Sequence, residues 1–367
     1  MTKYAMTTKG PVAADELGIV LPHEHLLFDL TGFLTAPRDE RERELADAPL
    51  TLENAGDLRR SPLASRENLR MQDAEVAARE LGYFRDAGGR TVVDCTLPEM
   101  KRDVRAVSQL ADATGLNIIV VTGHYVKSMQ GPEVSRQSVD EIAAWMISEL
   151  REGIDDTGIR AGAVKFGLTS VPRMPAEERK CLEAAALAQA ETGAPITIHN
   201  PLPFEKRGVE VVRLLVRAGA DPERVIMGHM THTAPDDRYH RSIMDTGATV
   251  EFDRFGQELY QEVDRGFNRW GLYSGEPRDS DVVNEIVALV KDGYVDRILL
   301  SHDVGFRNGL RSFGGFGYAH VPTRIARYLE RQGVDEWELE QLIVRNAARL
   351  FAYLPDELSR ANPAGVS

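Results

Sequence analysis

The chain has 367 residues, 43% of them hydrophobic, enough to bury a large core as one big domain or two ordinary ones. A formal charge of -13 and a pI near 5.3 argue against a nucleic-acid partner, because binders of phosphate backbones present a basic face and no long basic run occurs here. Cys95 and Cys181 lie far apart in apolar segments without a Cys-x-x-Cys spacing, so neither a disulfide framework nor a thiolate zinc site is expected.

The amino terminus lacks the apolar core of a signal peptide, and no segment offers about 18 uncharged apolar residues for a membrane span. A soluble, cytoplasmic protein with no membrane association is the expectation. From Gly18 onward, short runs rich in Val and Ile alternate with segments of helical period, which is the pattern of parallel strands joined by crossover helices. The first run, GIVLPHEH (18–25), carries His23 and His25. Side chains at i and i+2 of a strand point to one side, so both imidazoles reach a common point. A His-x-His pair alone also fits a solvent-facing strand.

A charged stretch, 31–65, follows; it is far longer than an ordinary connection and is expected to fold as a lid or a subunit contact, with a helix starting near Ser65. Further strands are expected at 90–96, 116–123, 161–167, 195–199, 224–229, 248–253 and 297–303. Helices such as 177–193 and 281–293 each close on a glycine where a C-cap would sit. This repeated unit fits an α/β fold, a (β/α)8 TIM barrel with a long insertion after strand 1, although a doubly wound open sheet has the same local pattern. One domain over 1–367 is expected, with 353–367 as a C-terminal tail whose last residues, 360–367, read as frayed.

Polar residues fall where the strands end. In a barrel the carboxyl ends of the strands floor the active site, and there the chain places His23, His25, Lys165, His199, His229 and Asp303. Each has an ordinary explanation alone, Asp303 as a helix N-cap for example. Four histidines and an acid at one end of the strands together point to metal, given the ligand preferences of imidazole and carboxylate. Lys165 cannot ligate as an ammonium. Either it is a neutral, desolvated base, or CO2 has carbamylated it to an anion that bridges two ions, or it is a buried lysine paired with Asp303. Bridging suits the donor count, since six exceed the three or four of one catalytic zinc.

These motifs resemble the phosphotriesterase family of the amidohydrolase superfamily, over nearly the whole chain from KGPVAADELGIVLPHEHL to NAARLFA. The resemblance implies that His23, His25 and Asp303 hold one divalent ion and His199 and His229 another, with carbamylated Lys165 and a water-derived hydroxide bridging them. Zinc is expected, though cobalt, manganese or iron suit the same ligands. Asp303 would be the catalytic acid and base. The stretches TLEN, SRENL and FGGFGYAHV are similar to the phosphotriesterase-related branch, and EFDRFG to the lactonase branch. Arg254 and Tyr125 match substrate-binding residues of lactonases, although Arg254 fits a structural salt bridge equally well. The organophosphate-degrading enzymes carry a histidine where Arg254 stands and an aspartate shortly after the strand-six histidine, where this chain has His232. A hydrolase of a small-molecule lactone, ester or amide is therefore expected ahead of a phosphotriester hydrolase or a non-catalytic binding protein. Family likeness implies a homodimer. The run RSFGGFGYAH has glycines spaced for a mobile loop that covers substrate or simply packs.

Overall fold

Eight strands lie side by side in chain order: β1 (Ile19–Glu24), β2 (Gly89–Asp94), β3 (Asn117–His124), β4 (Ala163–Gly167), β5 (Ile196–His199), β6 (Val225–Met227), β7 (Thr249–Phe252) and β8 (Ile298–Leu300). They are seen in a computed structural model that describes residues 2–200, 206–258 and 277–355. Every ladder between successive strands is parallel. A doubly wound sheet would change direction within its strand order; sequential order leaves the barrel.

Closure between β8 and β1 uses single bonds rather than a ladder. Asp303 N donates to His23 O at 3.0 Å. The Glu24 carboxylate, between the two histidines in sequence and so facing away from them, accepts from Ser301 Oγ (2.8 Å), His302 N (2.9 Å), His302 Nδ1 (2.7 Å) and Val304 N (3.1 Å). A fully buried carboxylate is tolerable only when so satisfied.

Helices α1 (Ala74–Asp86), α2 (Val104–Thr114), α3 (Val139–Arg151), α4 (Ala176–Thr192), α5 (Gly208–Arg217), α6 (Asp237–Met244) and α7 (Asp279–Lys291) alternate with the strands, and Ala326–Arg331 and Asn346–Phe351 follow β8. Their ends obey local chemistry. Asp73 caps α1 through Glu75 N and Val76 N, Ser138 and Glu141 form a capping box on α3, and Gly193 takes the left-handed C-cap of α4 at φ 77°. The core fills both faces of the strands, with Val92, Val93, Ile119, Val121, Ile196 and Ile198 buried, as expected of a sheet covered by helices. No described helix is long and apolar enough to cross a membrane.

Several boundaries differ from the sequence expectation. The helix expected near Ser65 begins at Ala74, because Arg70–Met71 first pairs antiparallel with Phe28–Asp29. Within 31–65 lie helical turns Thr31–Phe33 and Pro62–Ala64 and helices Glu40–Ala46 and Ala55–Arg60. β1 is not a regular strand: its register shifts between Leu21 and Glu24, where Pro22 has no N–H to give. β6 and β8 end before His229 and Asp303, both of which turn to positive φ (60° and 47°) and cannot continue a ladder. An amino-terminal hairpin, Lys3–Thr7 with Gly10–Ala13, was not anticipated. Of the expected tail, Tyr353 and Leu354 are buried and Leu354 pairs with Tyr4; 356–367 lie outside the described residues. The 311–320 loop, for which the sequence allowed a mobile cover or simple packing, is tied down: the buried Glu80 accepts from Arg311 N (3.0 Å) and Ser312 N (2.7 Å), and Tyr318 donates to His25 O at 2.7 Å.

Candidate metal centre

All eight residues nominated from the sequence fall into one connected set. Lys165 Nζ lies 2.6 Å from His23 Nε2. Asp303 Oδ1 lies 3.3 Å from His25 Nε2 and 3.7 Å from His23 Nε2, and Asp303 Oδ2 lies 3.7 Å from His229 Nδ1. His229 Nε2 faces His199 Nδ1 at 2.6 Å, and the Tyr125 hydroxyl reaches the same nitrogen at 3.1 Å. Arg254 donates to Asp303 Oδ2 at 3.1 Å. The insertion reaches this mouth too, with the Phe33 ring edge-on to Tyr125 at 5.8 Å.

Strand geometry places these groups. Lys165 stands in β4 in register with Gly123 of β3, and a Cβ on Gly123 would lie 1.8 Å from Lys165 O. Only glycine permits that approach. His229 and Asp303 owe their aim to left-handed backbone, a conformation that costs a residue with a Cβ and recurs at functional sites.

Behind the ring of donors stands a set of acids that the sequence reading missed. His23 Nδ1 lies 2.9 Å from Glu251 Oε2 and 3.0 Å from Asp253 Oδ2, and Asp253 Oδ2 also accepts from His229 N at 2.8 Å and lies 3.0 Å from His229 Nδ1. Just past the end of β2 the Thr96 hydroxyl donates to Asp94 Oδ1 (2.6 Å) and faces His25 Nδ1 (3.0 Å). The signal was available: Glu251 and Asp253 sit at i and i+2, so both turn inward where Phe252 cannot. Such partners fix ring orientation and tautomer.

The donor set fits a cation. With the proton of His23 and of His25 held on Nδ1 by carboxylate or hydroxyl, each Nε2 presents a lone pair toward Asp303 Oδ1, itself a lone-pair donor. Lone pairs so opposed repel unless something positive lies among them; Lys165 Nζ meets His23 Nε2 at 2.6 Å, and His25 Nε2 still faces Asp303 Oδ1 at 3.3 Å. Two groups, His23–His25–Asp303 and His23–His229–Asp253, have ligand atoms mutually within 4.8 Å. Only the first suits a shared ion; in the second, Asp253 addresses the Nδ1 edges and acts as the orienting base. Lys165 is 1% exposed, and among the described residues no carboxylate pairs with it, so the expected alternative of a Lys165–Asp303 ion pair is not found. An uncompensated buried ammonium against an imidazole is costly.

Electrostatics make His199 neutral and Asp303 and Asp253 ionised, whereas His23, against burial and Lys165, is lifted well above the ordinary imidazole value by Cys95, Glu251 and Asp253. Burial, then His229, pushes His199 well below the ordinary imidazole value, leaving it neutral. Burial would raise Asp303, yet His23, His25 and His229 hold it far below the carboxylate range. Burial raises Glu251, while His229 and His23 hold Asp253 well down against the same burial. Tyr125 is driven far up by burial and then by Asp303, so its hydroxyl stays a donor.

The chain is similar to known proteins in sequence and fold. Residues 4–351 match the phosphotriesterase family. An N-acetyltaurine hydrolase of Salmo salar is 33% identical over 352 residues, covering 95% of this chain and 97% of its own. The crystal structure of a resiniferatoxin-binding protein from Rhodobacter sphaeroides superposes with a TM-score of 0.88 at 33% identity, over 95% of this chain and 94% of that one. A mutant PTE-like lactonase of Deinococcus radiodurans reaches 0.73 at 30% identity, over 95% and 99%. A sequential eight-stranded barrel, a ring of imidazoles at its carboxyl end and a match that runs almost from end to end lead to one assignment: this chain belongs to the phosphotriesterase family and is a hydrolase.

Proposed function

We propose that the protein hydrolyses the carbonyl group of a small-molecule amide, lactone or ester with two divalent ions, zinc before cobalt, manganese or iron. The observation that carries this reading is the meeting of His23, His25, Lys165, His199, His229 and Asp303 around one point, with Lys165 buried and paired with no carboxylate among the described residues. When bound, such ions polarise the electrophile and lower the pKa of water from 15.7 toward about 7.

The chain's own residues do the rest. His23, His25 and Asp303 would hold one ion and His199 and His229 the other, between them the Lys165 carbamate, which forms when the free amine adds CO2 and releases a proton. Asp303, ionised and faced by Arg254, is placed to take the proton of the attacking water and return it to the leaving group, work typically worth about 10² to 10⁴ in rate. Tyr125, a donor at the rim of His199, is placed to orient a substrate oxygen. Arg254 spends one arm of its fork on Asp303, which favours a role in holding the acid as well as the substrate. The N-acetyltaurine hydrolases among its relatives support an amide and the lactonase among its fold neighbours a lactone.

Elemental analysis of the wild type beside Lys165→Ala, with a panel of lactones, N-acyl amino compounds and paraoxon, tests the reading. Two equivalents of metal, acyl turnover, and loss of both in the variant with rescue by short carboxylates are expected. Full metal and activity in the variant would remove the bridge, and turnover of paraoxon alone would reverse the substrate order. The same reading takes the protein as a cytoplasmic homodimer; light scattering at twice the chain mass checks the assembly.

A further inference from the structure

Asp303 depends on a residue that touches neither the ring of imidazoles nor its carboxylate. Successive carbonyls of an extended strand point to opposite sides. The left-handed turn at Asp303 (φ 47°) instead brings the carbonyls of His302 and Asp303 together, and Gln257 Nε2 donates to both at 2.6 Å. Gln257 belongs to the loop after β7, where its own N–H donates to Arg254 O at 3.3 Å. One turn of one loop therefore grips Asp303 twice: Arg254 holds the carboxylate at 3.1 Å, and Gln257 holds the main chain.

The carboxamide is not there for its own satisfaction. Gln257 Oε1 is buried without a hydrogen-bond partner among the described residues, an arrangement native structures avoid unless something is gained. What is gained is both N–H donors on Asp303 and its neighbour. Without them, two buried carbonyls lose a donor, and Asp303's own main chain is left with Gly305 N on Asp303 O (2.7 Å) and the bond from Asp303 N to His23 O (3.0 Å), while Glu24 still holds His302 N and Val304 N on either side.

We propose that Gln257 is a positioning residue for the hydrolysis: it locks the backbone of Asp303 so that the carboxylate stays trained on His23, His25 and His229, and it thereby couples the β7 loop to the centre. The proposal rests on the reading of Asp303 as ligand and proton acceptor. Being indirect, the role shows in metal retention and kcat, not in substrate affinity.

The test uses Q257L, which removes both donors at similar volume, with Q257M as a second and more flexible replacement should the first fail to fold. Each metal-loaded protein is mixed with a chelator and the half-time of metal loss read by elemental analysis; kcat and KM are measured on the acyl substrate the wild type turns over best. Metal loss about 10- to 100-fold faster, a comparable fall in kcat and a KM within about twofold of wild type are expected. A folded variant that keeps the wild-type half-time and kcat overturns the proposal alone, as does a change confined to KM, which would make Gln257 a substrate contact. A wild type that holds no metal would overturn the reading beneath it, and the proposal with it.

Discussion

Replacing Thr96 by valine removes a hydroxyl and leaves the shape. In the native protein that hydroxyl gives its one hydrogen to Asp94 (2.6 Å), so it can only accept from His25 Nδ1 (3.0 Å), which leaves His25 Nε2 as a lone pair facing the centre. In Thr96→Val the ring has two choices. Keeping the proton on Nδ1 leaves a buried N–H without a partner, at a cost of about 1–3 kcal/mol. Moving it to Nε2 places a donor 3.3 Å from the ionised Asp303 Oδ1, a charge-assisted bond worth about 1.5–3 kcal/mol. The second choice wins, and a ligand becomes a donor. Recovering the lone pair for a cation then costs about 1.5–3 kcal/mol, roughly 10- to 150-fold in affinity at 1.4 kcal/mol per decade. Competition with a chelator of known affinity reads this directly, with Thr96→Ser, which keeps the hydroxyl, as the control. A valine variant binding metal within about threefold of wild type would refute the tautomer argument, since outer-shell changes of this kind cost about 10- to 100-fold.

Glu24→Gln places an NH2 among four donors at the barrel seam and should lower unfolding stability by about 3 kcal/mol in urea titration; an unchanged midpoint would show that closure does not depend on that carboxylate. Burial pushes the thiols of Cys95 and Cys181 up to about 11 and about 12, so iodoacetamide at pH 8 should label neither in the folded protein and both in denaturant. Gly123→Ala drives a Cβ to 1.8 Å from Lys165 O at a φ of 130° and should yield insoluble protein, or folded protein without metal; a soluble variant with the wild-type melting temperature and metal content contradicts the close approach.

The alternation of apolar runs and helical periods was enough to locate all eight strands, and the residues at their ends were enough to nominate the centre, because each is a local signal: period, branching and residue type are written along the chain. Side-chain alternation also accounts for His23 and His25 facing one way and Glu24 the other. The sequence had no means of separating a barrel from an open sheet, since both repeat the same unit; that was decided by sequential pairing and by the Glu24 seam to residues 301–304, a contact across most of the chain. Alternation also turns Glu251 and Asp253 inward, but the sequence could not show which imidazoles they meet, that His229 and Asp303 leave their strands, that Asp94 and Thr96 stand behind His25, or that Gln257 reaches under β8. Those facts depend on which groups meet after folding, when left-handed turns and buried hydrogen bonds are paid for by neighbours hundreds of residues away. Residue type determines what a side chain can do; only the closed barrel determines what it faces.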